Sequence, residues 1–171
     1  MNMFSYKTVL AATALAASMN VYAVTPAAGM PATGTPAAVT FAAPDKMSDV
    51  PRSASDRENM EWHFSEHFTN LAKQLPAGQS LKVDMLDIDL AGDEFPRVAI
   101  RDVRVLKGRA DWPRLHLRYT IEQEGKVVRT GEAKLSDPNY LMGMNRYSHE
   151  MYSHEKQMLE DWWRKEVVAA R

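Results

Sequence analysis

Leu115-His-Leu-Arg-Tyr-Thr-Ile-Glu122, followed by Val127-Val-Arg-Thr-Gly-Glu-Ala-Lys-Leu135, decides the fold. Leu115, Leu117, Tyr119 and Ile121 alternate with His116, Arg118, Thr120 and Glu122. Successive side chains of a strand point to opposite faces, so this run is a strand with one face on a core and the other in water. The register of the second run follows from the connection. A three-residue loop, Gln123-Glu-Gly125 with Gly125 left-handed, pairs odd positions with odd. Ile121 then faces Val127 and Leu115 faces Ala133. On the wet face Glu122 meets Lys126 and His116 meets Glu132, which are compatible cross-strand pairs.

Outward from this hairpin the periodicity changes. Leu81 to Leu90 reads as a strand whose apolar phase moves from odd (Leu81, Val83, Met85) to even (Leu86, Ile88, Leu90). Such a slip predicts a bulge or burial on both faces. Val98 to Leu106 is a further strand with interleaved arginines, and Val39-Thr-Phe41 is a candidate first strand. Met60, Phe64, Phe68, Leu71 and Leu75 recur at spacings of four and three, the mark of one helical face. Ser55 and Glu58 fit an S-x-x-E capping box and Pro76 stops the ladder, so this helix is expected from about Asp56 to Gln74. A last helix from about His154 to Ala169 turns Met158, Leu159, Trp162, Trp163 and Val167 to one side. The expected order is β-α-β-β-β-β-α. The class is α+β, an antiparallel sheet of four to five strands with both helices on one face.

The chain ahead of this domain has a different character. Residues 1–23 carry one basic residue (Lys7), an apolar run from Thr8 to about Met19, and small residues suited to cleavage after Ala23. This is the layout of a secretory signal peptide, too short in its apolar part for a permanent span. The expected location is therefore a bacterial periplasm. Residues 24–38 are almost entirely Ala, Pro, Thr and Gly, the composition of a flexible linker, leaving 39–171 as one domain. Loss of the leader removes Lys7 and no acid, so the formal net charge of −1 becomes −2. That balance argues against nucleic acid as a partner. The chain has no cysteine, hence no disulfide, thiolate metal site, Cys nucleophile or lipid-bearing Cys anchor. No segment after the leader reads as a transmembrane helix, and no motif calls for a cofactor.

Three groups of residues carry a family resemblance. They are Leu75-Pro-Ala-Gly-Gln79 with Leu81-Lys-Val83 and Asp87-Ile-Asp-Leu-Ala-Gly92; Pro113-Arg-Leu115 with Gly125-Lys-Val and Gly131-Glu132; and Tyr152 with Glu155-Lys156, Met158-Leu159 and Asp161-Trp162. Over about Val39 to Trp163 the chain resembles the bacterial family catalogued as domain of unknown function 3016. The resemblance implies a small exported proteobacterial protein. It transfers no activity and no catalytic residue.

Several side-chain groups are candidates for chemistry. His63-Phe-Ser-Glu66-His67 is formally H-x-x-E-H, in which His63 and His67 lie one helical turn apart and Glu66 would serve as base. The competing reading is a pair of half-buried helix histidines. Met142, Met144, His149, Met151, His154 and Met158 crowd a short stretch, and Tyr147-Ser-His-Glu-Met recurs as Tyr152-Ser-His-Glu-Lys. Thioethers and imidazoles are the soft ligands left to a chain without Cys, so Met142, Met144, His149 and Met151 form a candidate copper or zinc site. The alternative is gap-filling under a loop. Asp84, Asp87, Asp89, Asp93 and Glu94 form an acidic cluster whose calcium-loop pattern fails at Ala91 and Val98. Asp87 and Asp89 are expected to cap loop amides or to pair with Arg101 or Arg104. For partner binding, Tyr140, Tyr147, Tyr152, Arg101, Arg104 and Arg118 are the candidates. The functional expectation is a binding protein of the cell envelope that contacts another envelope protein, without catalytic activity. A metal-binding role is the alternative, and an H-x-x-E-H zinc hydrolase ranks below it.

Overall fold

A computed structural model describes residues 36–95 and 103–169. The expected signal peptide, most of the expected linker, and Arg101 lie outside the described residues. Strand β1 is Ala37–Phe41, two residues longer at its start than Val39-Thr-Phe41. A single 3₁₀ turn, Pro44–Lys46, leads towards helix α1, Ala54–Ala72. Then follow β2 (Gln79–Asp89), β3 (Asp93–Phe95), β4 (Val103–Val105), β5 (Arg114–Gln123), β6 (Lys126–Ser136) and α2 (Ser153–Trp162). A π-helical turn, Trp163–Val168, completes the last helix.

The class is α+β, but the sheet is mixed where a purely antiparallel one was expected. Its order is β1-β2-β5-β6, and β1 runs parallel to β2, with Val39 beside Val83. The reason lies in the connection. Two parallel neighbours need a crossover of a dozen or more residues, usually through a helix, and α1 supplies it. The strand expected over Val98 to Leu106 does not join this sheet in its described part. Val103–Val105 pairs instead with Asp93–Phe95 in a separate two-stranded sheet.

The phase slip in β2 is a bulge. Pairing with β5 is regular from Gln79 to Met85 and shifts before Asp87, so Leu81, Val83, Met85 and Ile88 all face the core. The β5–β6 connection corrects the expected loop. Glu124 and Gly125 form a two-residue turn, with φ of 51° and 78°. Both central positions are left-handed, as a type I′ turn requires. A bulge then absorbs Val128, so odd still pairs with odd, but two positions further on. Ile121 faces Arg129, Leu117 faces Ala133 and Leu115 faces Leu135. Glu122 and Lys126 are not opposed; Lys82 of β2 takes Glu122 at 2.8 Å. His116 lies opposite Lys134 and reaches Glu132 diagonally, at 2.7 Å.

Helix α1 begins two residues before the expected start. Ser53, not Ser55, caps it: Ser53 Oγ accepts from the Asp56 amide at 3.0 Å and donates to Asp56 Oδ2 at 2.7 Å. Met60, Phe64, Phe68 and Leu71 are buried as the spacing predicts, with Leu75 packed beside them. Met158, Leu159, Trp162, Trp163 and Val167 join the same cluster from the other helix. Both helices therefore cover the inner face of the sheet. The other face carries the even-numbered residues of β5 and β6. At Gly131 the two strands touch: a Cβ there would stand 2.7 Å from the Tyr119 ring, so only glycine lets the ring lie flat beneath β6.

Candidate functional site

Two motifs that are separate in the sequence meet in space. Along α1, His63 and His67 present successive turns to the segment that precedes α2. His67 packs edge-on against Tyr147, with centroids 5.1 Å apart at 85°. His63 packs against Tyr152, 5.7 Å away at 62°. The repeated Tyr-Ser-His-Glu thus lays one tyrosine on each histidine of H-x-x-E-H. Tyr140 repeats the theme with His154, at 4.9 Å and 86°. All three tyrosines proposed from sequence as partner contacts are anchors of their own segment.

The electrostatics of this seam are unusual for a small domain. Glu155, Lys156 and Glu160 are buried with His67. Lys156 Nζ donates to Glu150 Oε2 at 2.7 Å. Glu160 accepts from the Tyr147 hydroxyl and pairs with Arg164 at 2.5 Å and Arg146 at 3.7 Å. Burial alone would raise the Glu160 carboxyl, but these donors hold it below its ordinary range. Burial and the neighbouring carboxylate push the Tyr147 phenol up. Burial, aided by the Lys156 charge, lowers His67 to about 4, so its imidazole is neutral at pH 7. Its Nε2 is buried and has no partner among the described residues. A cleft of about 420 Å³ opens here, lined by His67, Asn70, Gln74, Tyr147, Glu150 and Lys156 among others.

Glu155 sits at the far end of the same helix turn. It is 3 % exposed, and its Oε1 accepts from the Ala91 amide at 2.7 Å. Burial pushes its carboxyl up. The spacing Glu155, Met158, Leu159, Trp162 places this residue on the apolar stripe, a signal that sequence reasoning passed over.

While the tyrosines turn in, the side chains between them turn out. Met142 is 80 % exposed, Met144 90 %, Met151 51 % and Leu141 49 %. His149 is exposed as well. Met151 Sδ approaches Asn59 Nδ2 of α1 at 3.8 Å, and Trp62, two residues past Met60 on the same helix, is 58 % exposed. The candidate metal ligands therefore lie on one displayed segment. Among the described residues, no group of three or more His, Cys, Asp or Glu side chains is arranged to hold a metal.

The acidic cluster is engaged piece by piece. Asp87 accepts from the Ser48 amide and hydroxyl, both at 2.7 Å, as the loop-capping expectation has it. Asp89 pairs with Arg114 at 2.5 Å and not with Arg104, the expected pairing with Arg101 lies outside the described residues, and Asp93 pairs with Lys107 at 2.5 Å. Asp84 accepts from the Thr40 hydroxyl. Arg104 takes Asp49 at 2.7 Å and the Gly92 carbonyl at 2.8 Å, so it braces the β2–β3 turn. Arg118 reaches Glu132 at 3.3 Å on the wet face of the sheet. No helix among the described residues is long and apolar enough to cross a membrane.

The model of the family described as "Protein of unknown function (DUF3016)" matches residues 35–165. No curated protein and no solved structure matches the chain.

Proposed function

The chain belongs to the DUF3016 family, and from that premise we propose that it is an exported binding module of the bacterial cell envelope, acting through residues 141–151. One observation carries this reading: Leu141, Met142, Met144 and Met151 are each about half exposed or more, on a segment whose tyrosines are fastened inward. Exposed apolar side chains cost solvation and, when clustered, mark interaction surfaces. Unbranched thioethers adapt to an irregular apolar partner surface, which suits them to this task. Asn59 of α1 adjoins Met151, and Trp62, three residues further along the helix, is exposed as well. The partner is another envelope protein with a complementary apolar groove. Export rests on the layout of residues 1–23, and reach on the Ala/Pro/Thr-rich stretch that follows.

The test compares the wild type with a Met142→Ser/Met144→Ser/Met151→Ser variant as bait for periplasmic extract. A retained protein that the variant loses, at unchanged melting temperature, supports the reading; identical recoveries overturn it. Intact mass of the native protein tests export, with Val24 expected as the first residue. A second reading uses the same exposed donors. Met142, Met144, His149 and Met151 would hold Cu(I) as soft ligands. Competition titration against a chromogenic Cu(I) chelator decides it, and absence of binding tighter than micromolar removes it.

A further inference from the structure

Strand β6 is the long edge of the main sheet. It runs for eleven residues, and among the described residues its one strand neighbour is β5. An edge of this length presents a row of unpaired amides and carbonyls, a template for another strand. Natural edges are commonly guarded by charges that repel a second copy. Here the charges are spaced to attract one.

The segment Arg129-Thr-Gly-Glu-Ala-Lys-Leu-Ser-Asp137 is complementary to itself in reverse. Two copies laid antiparallel about Ala133 set Glu132 opposite Lys134 twice. They also set Thr130 opposite Ser136, Gly131 opposite Leu135, and Arg129 opposite Asp137. Arg129 is already held by the carbonyls of Glu166 and Val167. Glu132 already takes His116 and Arg118 of its own sheet, but an exposed carboxylate accepts further donors, so the two Glu132–Lys134 pairs carry the charge match. Other registers that keep the faces aligned lose it. Centring on Glu132 or Lys134 sets like charge on like charge, and centring on Gly131 faces Lys134 with Val128. The pairing also respects the pleat. From Arg129 to Ser136 the even positions of β6 are exposed and the odd ones half-buried, and an antiparallel pair about Ala133 joins even to even and odd to odd. Glu132 and Lys134 thus meet on the wet face. On the inner side a hollow of about 350 Å³, lined by Leu135, Met158 and Trp162 among others, flanks the edge, and the glycine opposite Leu135 brings no side chain to obstruct it.

We propose that β6 pairs with β6 of a second copy about Ala133, joining two four-stranded sheets into one of eight. A two-fold axis makes such a contact isologous and closed, so it ends at a dimer. The surface is separate from residues 141–151, and the two readings stand or fall independently.

Because the chain lacks cysteine, the pairing can be trapped cleanly. Cross-strand partners lie about 4.5–5.5 Å apart between Cα atoms, within disulfide range. The Ala133→Cys protein is expected to oxidise to a covalent dimer. Thr130→Cys alone is expected to form no covalent dimer, but to cross-link when mixed with Ser136→Cys. Sedimentation of the wild type should give twice the chain mass at high micromolar concentration. Lys134→Glu should reduce this to the monomer, and Glu132→Lys/Lys134→Glu should restore the dimer, with circular dichroism confirming that each variant folds. A wild type that stays monomeric at that concentration overturns the proposal. So does a dimer that Lys134→Glu leaves intact, or cross-linking by Thr130→Cys alone.

Discussion

The wet face of the sheet and the seam between α1 and the segment before α2 use similar residues in opposite ways. On the sheet, charged side chains stand in water and satisfy one another: Lys82 with Glu122, Arg118 and His116 with Glu132, Arg114 with Asp89. Each pair is solvent-screened and individually worth little. In the seam, Glu155, Lys156, Glu160 and His67 are buried, and each depends on a named partner or goes without one. Removing one partner there leaves a desolvated group behind, which is far more costly. The chain thus places its costly polar contacts on α2, where Lys156 and Glu160 fasten the irregular segment and Glu155 holds the Ala91 amide just after β2. What that segment then displays is apolar.

The largest test of this contrast is Glu155→Ala. The Ala91 amide loses a buried carboxylate acceptor, and unfolding stability should drop by about 3 kcal/mol in urea titration. A loss below that of any wet-face substitution would erase the distinction. Next comes pH. His67 is held near 4 when folded, against an ordinary value of 6.5, so the unfolded chain takes up a proton first as pH falls. Its contribution is complete above pH 6.5 and is lost progressively down to about pH 4, on the order of 2–3 kcal/mol. His67→Gln should flatten the stability profile across that window relative to the wild type. Glu155, whose carboxyl is raised by burial, works in the opposite sense and is present in both proteins.

A smaller effect is expected from Tyr147→Phe. It removes one hydroxyl donor to Glu160 while leaving the ring against His67 and the two arginines in place, about 1 kcal/mol by chemical denaturation. Smallest is Arg118→Ala on the sheet, below about 0.5 kcal/mol, because its partner Glu132 keeps His116 and both are in water. Equal losses for the last two variants would show that the seam is no more demanding than the open face.

Much of the architecture is legible in the residues themselves. The alternation from Leu115 to Glu122 and the stripe from Met60 to Leu75 both report burial directly, since each has a single period over its whole length. The slip after Met85 announces its bulge. What is not legible depends on geometry between distant pieces. The parallel pairing of β1 and β2 follows from a crossover whose ends no local pattern marks. The hairpin register was expected two positions off, because a type I′ turn plus a bulge at Val128 preserves parity while moving every pair. For the candidate site, the two histidines of α1 and the two Tyr-Ser-His-Glu repeats were each visible. That one would seat on the other was not, since nothing in either motif refers to the other's position. The buried charges of α2 were hidden for a simpler reason: acids and lysine read as surface unless their place on the apolar stripe is checked.

The pairing of Tyr147 with His67 joins points separated by about eighty residues of chain. Contacts that span such a loop form late, after the entropy of closing it has been met by other interactions. The sheet is therefore expected to assemble before the segment that displays the methionines is seated. By the same ordering this segment is the first to detach under thermal stress, so hydrogen exchange should find its amides released at a lower free energy than those of β2 and β5.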